Sequence, residues 1–241
     1  MKKILITGAT SGIGRQLVLD YAQQGMDVIA CGRNQEKLTE LETECNGIET
    51  LCFDITDPHA CVNALAQLPE GIDGWIFNAG DCLYLEDGVI DLAVVKRVMD
   101  CNFYGLVHCL FACQGYFQPG HQVVVVGSIA SHIPLPRAEV YGASKAAVDY
   151  FANTLAIPYR QRGIYLSLVY PGFVDTPLTQ KNTFAMPGVI SRERASEIII
   201  KQLSRKKPHI YFPRRLTWVI RFLALLPHGV AQWLGRQMIK K

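Results

Sequence analysis

Short, unbroken apolar runs alternate along the chain with longer stretches in which apolar residues recur every three or four positions. The runs predict strands near 3–6, 27–31, 48–53, 73–77, 122–127, 164–170 and 208–212. The clearest is Val123-Val124-Val125-Val126, which is β-branched throughout and reads as a parallel strand covered on both faces. The periodic stretches predict helices near 12–24, 35–45, 57–67, 91–118 and 141–161, the first with Leu17, Val18, Tyr21 and Ala22 along one side. Strand and helix in alternation imply right-handed βαβ crossovers, so the expected class is α/β: a doubly wound parallel sheet of about seven strands, flanked by helices. No linker, low-complexity tract or repeat interrupts the pattern. A single domain over 1–241 is expected, with a basic, apolar helical extension over 214–241.

Composition narrows the class without changing it. The length, 241 residues, suits one large α/β domain, and 49% hydrophobic residues exclude a disordered chain. Eight cysteines (Cys31, Cys45, Cys52, Cys61, Cys82, Cys101, Cys109 and Cys113) form no Cys-x-x-Cys pair, and most fall in apolar segments. They read as buried thiols of a reducing compartment, and no metal site is expected. Met1-Lys2-Lys3 resembles the start of a secretion signal, but the apolar run behind it is four residues long and leads straight into a glycine-rich loop. The expected location is cytoplasmic.

Two segments carry candidate chemistry. Thr7-Gly8-Ala9-Thr10-Ser11-Gly12-Ile13-Gly14 lies between the first strand and the first helix. Backbone N–H groups and the positive end of a helix suit a pyrophosphate there, although the spacing is not the Gly-x-Gly-x-x-Gly dinucleotide fingerprint. Further on, Tyr141 and Lys145 stand four residues apart and Ser128 ends the valine-rich strand. Positions i and i+4 share one helix face, roughly 6 Å apart along the axis. An ammonium one turn from a phenol is expected to favour the phenolate and lower the tyrosine pKa, as proton transfer near neutral pH requires.

Together these motifs resemble the short-chain dehydrogenase/reductase family in its compact form, over roughly residues 1–212. The resemblance implies a Rossmann-type fold and a nicotinamide cofactor held by Gly8, Thr10, Ser11, Gly12, Ile13 and Gly14. Asn78-Ala79-Gly80 after the fourth strand, Asp54 and Ile55 at the adenine, and Pro171, Gly172, Val174 and Thr176 beside the nicotinamide complete that set. It implies a catalytic group of Asn102, Ser128, Tyr141 and Lys145: Tyr141 as general acid/base, Lys145 also on the nicotinamide ribose, Ser128 orienting the carbonyl, Asn102 holding a water through a kinked helix. An N-cap or turn role for Asp54 and a backbone-bonding role for Asn102 remain open at this point. Homo-oligomers formed through the helices near 91–118 and 141–161 are expected by the same analogy.

At the end of the second strand, Gly32 leaves space and Arg33 offers a guanidinium where an acidic residue would favour NAD, so NADP(H) is the expected cofactor. Ser11 occupies the loop position where NADP-preferring relatives often carry a second basic residue, and Arg15 is a candidate substitute. Ile129, His132, Pro134, Leu135, Phe173, Val174 and Leu178 flank the catalytic positions and predict a mostly apolar carbonyl or secondary-alcohol substrate, with a flap over 175–188. The expected activity is hydride transfer between NADP(H) and that substrate. A non-catalytic NADP-binding sensor and an epimerase or dehydratase of the extended branch are the alternatives. From 198 to 241 there are ten Lys/Arg and no Asp/Glu, against 14 basic and 21 acidic residues before it. Within this tail Leu216–Leu226 and a second stretch bearing Val230, Trp233, Leu234 and Met238 are too short to span a bilayer. They read as an interfacial helix pair on a membrane, or as a cover for the cleft or a subunit contact. Nucleic-acid binding is not expected, because apolar residues interrupt the charges.

Overall fold

The computed structural model describes residues 1–227 except Thr183 and Ala185, together with Gly229. Seven strands form one parallel sheet: β1 (Lys3–Thr7), β2 (Asp27–Gly32), β3 (Ile48–Cys52), β4 (Ile72–Phe77), β5 (Gln122–Val126), β6 (Tyr165–Pro171) and the last, β9 (His209–Phe212). Their order is β3-β2-β1-β4-β5-β6-β9, which reverses direction between β1 and β4. Two further strands, β7 (Val174–Asp175) and β8 (Ile190–Ser191), pair separately beside the sheet. At two residues each they leave no periodic trace in the sequence.

Strand alternation divides the core into two layers. Leu5, Trp75, Val123 and Val125 share one side of the sheet and pack in one layer with Phe117 and with Cys61 and Leu65 of α3 (Pro58–Leu65). Their neighbours Ile4, Ile6, Val124 and Val126 face the other way, onto Leu17 and Val18 of α1 (Gly12–Gln23) and Leu38 and Leu41 of α2 (Gln35–Glu44). Each fully buried Leu, Ile or Val contributes about 1.5–3 kcal/mol relative to exposure, so the paired apolar faces hold the sheet between its helices. Asn34 and Asp57 begin α2 and α3 by accepting hydrogen bonds from first-turn N–H groups.

The predicted helix over 91–118 is interrupted. It comprises α4 (Leu92–Met99), a π-helical turn at Asp100–Tyr104, α5 (Gly105–Cys113) and a 3₁₀ turn at Gln114–Tyr116. Apolar periodicity cannot show the wider turn, which is held by side-chain hydrogen bonds of Asn102. The long α6 (Glu139–Gln161) is found as expected. One helix was missed: α7 (Arg192–Leu203) packs Ala195, Ile199 and Leu203 on the α1 side of the sheet. Its signal was the four-residue spacing of those three behind Ser191, whose side chain caps the helix, but interleaved charges diluted it. The chain then leaves β9 into α8 (Arg214–Leu223), which buries Thr217 and Ile220. The second C-terminal segment lies outside the described residues. Among those described, no helix is long and apolar enough to cross a membrane.

Candidate active site

The carboxyl ends of β1 to β6 open into one cleft of about 360 Å³, at the point where the strand order reverses. Its walls include Gly8, Thr10, Ser11, Gly12, Ile13, Arg33, Asp54, Ile55, Asn78, Ala79, Gly80, Ser128, Tyr141, Lys145, Pro171, Gly172, Val174 and Thr176. Of the expected site residues, Gly14 and Asn102 do not reach the wall and act from behind it.

At the β1 end the backbone itself makes the site. Gly8 has φ +67°, and a Cβ there would lie 2.7 Å from the Ala79 Cα. Gly14 seats α1 against the loop so closely that a Cβ would lie 2.2 Å from the Gly8 carbonyl oxygen. Ser11 precedes α1 without a side-chain cap, and the first turn holds no acidic residue, so the orphan N–H groups and positive helix end are free for an anion. Asn78 is a brace: its Nδ2 donates to the carbonyls of Thr7 (3.3 Å) and Gly8 (3.2 Å), and its backbone N–H donates to Thr7 Oγ1 (3.1 Å). Exposed Arg33 stands at the wall beyond β2. Arg15 is ion-paired with Glu44 and lies outside the wall. Asp54 borders the cleft while its Oδ1 accepts hydrogen bonds from Thr56 N and Thr56 Oγ1, both 2.9 Å; the N-cap of α3 is Asp57 instead. The turn role and the wall position therefore coexist. An uncapped helix start, a loop whose close approaches leave no space for Cβ atoms, and a guanidinium at the far wall fit a dinucleotide phosphate.

At the β5 end, Ser128 begins a 3₁₀ turn (Ile129–Ser131) and its Oγ accepts from Ala130 N at 3.1 Å. The first turns of α6 bring Tyr141 and Lys145 to the same region. Lys145 Nζ lies 6.0 Å from the Tyr141 ring centre and donates to the Val126 carbonyl at 3.0 Å. Asn102 is buried and fully engaged: Oδ1 accepts from Asp81 N (2.7 Å), and Nδ2 donates to Asp81 O (2.9 Å) and Ser144 Oγ (2.9 Å). Ser144 in turn donates to the Tyr141 carbonyl at 2.7 Å. Asn102 thus bonds to backbone and also positions the turn that carries the tyrosine. Ser144 is the linking residue that sequence reasoning missed; its place between Tyr141 and Lys145 was the available signal.

The electrostatics correct one expectation. Burial pushes the Tyr141 hydroxyl well above the usual phenol range, Cys82 adds to the rise, and Ser128 opposes it. Tyr141 keeps partial access to the cleft, but enough protein surrounds it to disfavour the phenolate. Lys145 does not acidify it in the protein alone. The lysine is itself buried, which lowers its pKa to about 8. Of the predicted substrate-side residues, Val174 and Leu178 line the cleft, together with Pro177 and Lys181. His132 does not. Its ring packs against Tyr170 and Tyr211 (centroids 5.1 and 5.8 Å) and its Nδ1 meets Ser131 Oγ at 2.8 Å, on the β6–β9 side. Among the described residues no cluster suits a metal ion.

A family model described as short chain dehydrogenase matches residues 2–186. An uncharacterized oxidoreductase of Myxococcus xanthus is 30% identical over 97% of this chain and 96% of its own. Sulfoacetaldehyde reductase 2 of Chromohalobacter salexigens is 34% identical over 75% of each chain. Among solved structures, the closed form of a serine dehydrogenase complexed with NADP+ superposes with TM-score 0.76 at 29% identity, covering 84% of this chain and 88% of that one.

Proposed function

Because the chain belongs to the short-chain dehydrogenase/reductase family and is an oxidoreductase, we propose that it is NADP(H)-dependent and acts on the carbonyl or secondary alcohol of a mostly apolar substrate. One observation carries this reading: Ser128, Tyr141 and Lys145 converge on the cleft whose other end is the glycine loop and Arg33. A non-catalytic sensor needs no such convergence.

When bound, the nicotinamide cofactor supplies or accepts the hydride. The uncapped start of α1 and the Gly8–Gly14 loop would hold its phosphates, and Arg33 would offer charge-assisted hydrogen bonds to a 2′-phosphate. Tyr141, kept protonated at neutral pH by burial, donates a proton to the carbonyl oxygen in reduction and recovers it in oxidation. Ser128 donates to the same oxygen as charge develops on it. Lys145, held by the Val126 carbonyl, places positive charge beside the phenol and supports a transient phenolate. Asn102 acts through Ser144 on the tyrosine's own turn. Val174, Pro177 and Leu178 supply the apolar wall. Exposed Tyr104 and Phe111, with Tyr150 and Ile157 on α6, support a homo-oligomer, and eight unpaired thiols support a cytoplasmic location.

NADPH consumption against a panel of apolar ketones and aldehydes, with small anionic aldehydes for comparison, tests the reading. Tyr141→Phe should bind NADPH as tightly as the parent and lose roughly 10²–10⁴-fold in turnover. In the parent, burial keeps the phenol protonated through neutral pH, so reduction should not fall, nor alcohol oxidation rise, through loss of the Tyr141 proton until strongly alkaline pH. Turnover of Tyr141→Phe near the parent's removes the proton-donor role; consumption with the anionic aldehydes alone removes the apolar substrate class.

A further inference from the structure

The outward face of α8 has an unusual make-up for a surface helix. Arg215, Trp218 and Phe222 follow one another at helical spacing, with Arg214 and Val219 alongside and Leu225 just past the helix end, so that bulky apolar groups and cations share one stripe. Trp218 is 70% exposed, Val219 57%, Phe222 64% and Leu225 82%. The opposite side does the packing, through the buried Thr217 and Ile220. Arg221, at the edge of the stripe, lies over the Tyr211 ring at 4.4 Å and beside Trp218 at 5.9 Å. A helix kept on a protein surface for solubility alone carries polar residues outward; this one carries Trp, Phe and Leu outward among arginines.

Charge complementarity selects the occupant. From 198 to 227 the chain holds seven Lys/Arg and no Asp/Glu, three of those cations on α8 itself, so this stretch repels a copy of itself and attracts a surface dense in negative charge. Apolar side chains set among cations fit a phospholipid surface, where Trp and Phe enter the acyl boundary and arginines meet the phosphates. The helix also adjoins the active cleft. A Cβ on Gly172, a cleft residue, would lie 2.9 Å from Leu216 Cδ2 and 3.1 Å from Pro213 Cδ, and one on Gly188, at the end of the 175–188 segment, would come within 4.0 Å of Leu216 Cβ.

We propose that the outer face of α8 docks the protein on an anionic lipid bilayer, holding the Gly172 wall of the cleft at the membrane so that an apolar carbonyl or alcohol is taken from the lipid phase. The docking stands on the helix alone; the lipid-phase substrate rests on the oxidoreductase reading above.

Flotation of the full chain with liposomes tests the docking without reference to activity. Vesicles of phosphatidylcholine with a third phosphatidylglycerol should carry the protein upward, pure phosphatidylcholine should do so far less, and raised salt should release it. Arg214→Gln/Arg215→Gln should weaken partitioning roughly 20-fold, at about fivefold per basic residue near the surface. Trp218→Ser/Phe222→Ser should reduce it at least as much. NADPH binding by both variants, expected to equal the parent's, reports that the fold is intact. Absence of flotation on anionic vesicles overturns the proposal, as does flotation unchanged in both variants. Light scattering showing that Trp218→Ser/Phe222→Ser only lowers the oligomer mass, with flotation unaffected, assigns the face to a contact between copies instead. Flotation in a protein that consumes NADPH only with small anionic aldehydes keeps the docking and removes the lipid-phase substrate.

Discussion

Replacing Lys145 by methionine isolates the consequence of burying an ammonium at the reactive end of the cleft. Burial lowers the pKa of this lysine from its ordinary 10.5 to about 8. Between those values the unfolded chain binds a proton that the folded chain has released, so this residue's contribution to stability rises with pH across the window. Below pH 8 both states are protonated, and the folded state carries the full desolvation penalty, offset in part by the bond to the Val126 carbonyl. At about 1.4 kcal/mol per tenfold, the gain is about 1 kcal/mol by pH 9 and about 2 to 3 kcal/mol by pH 10. Lys145→Met has no such group. Urea unfolding of both proteins at intervals from pH 7 to 10 should therefore show the variant ahead near pH 7, where it escapes that penalty, and the parent closing the gap as pH rises. The raised thiols, such as Cys101 at about 11, act with the opposite sign above pH 9, because the unfolded state loses those protons first. That loss is largely common to both proteins; only the part from Cys82 and Cys101, which interact with Lys145, stays in the difference. Two curves that stay parallel over the whole range would refute the reasoning and show that the lysine charge is solvated in the folded protein.

Two further outcomes follow from the cofactor end. Gly14→Ala places a Cβ 2.2 Å from the Gly8 carbonyl oxygen and 2.4 Å from Asn78 Nδ2, so α1 must move away from its loop. A loss of several kcal/mol in stability, comparable with overpacking of a core, and of measurable NADPH binding is expected in calorimetry and fluorescence titration. Arg33→Ala should weaken NADPH binding about 10- to 100-fold, the worth of a charge-assisted hydrogen bond of roughly 1.5–3 kcal/mol, and leave NADH binding unaltered; equal losses for both cofactors would remove Arg33 from 2′-phosphate recognition.

Much of this architecture is legible in the sequence because a parallel sheet covered on both faces needs continuous apolar strands, and β5 could hardly be anything else. The cofactor-side residues and Ser128 are legible for a related reason: most stand just after strand ends, where crossover topology leaves the backbone exposed, whereas Tyr141 and Lys145, on α6, are legible through their four-residue spacing. What escaped detection depends on contacts between distant residues. The π turn at Asp100–Tyr104 exists because Asn102 finds partners in Asp81 and Ser144, and no local period encodes that. The direction of the Tyr141 shift was misjudged because a four-residue spacing fixes proximity to the ammonium but says nothing about how much protein surrounds the phenol. His132, adjacent in sequence to the catalytic turn, is drawn aside by Tyr170 and Tyr211, which belong to strands made much later.

The strand order bears on how the protein is made. As the chain leaves the ribosome, β2 is added beside β1 and β3 beside β2; growth then restarts on the other edge of β1 and runs outward through β4, β5, β6 and β9. Each newly synthesised strand of this sheet meets an edge that already exists, so the nascent domain need not wait for a later partner. The seam where growth changes direction is where the first loop to emerge and the much later Tyr141 segment come together, so the pocket closes long after its phosphate end is made.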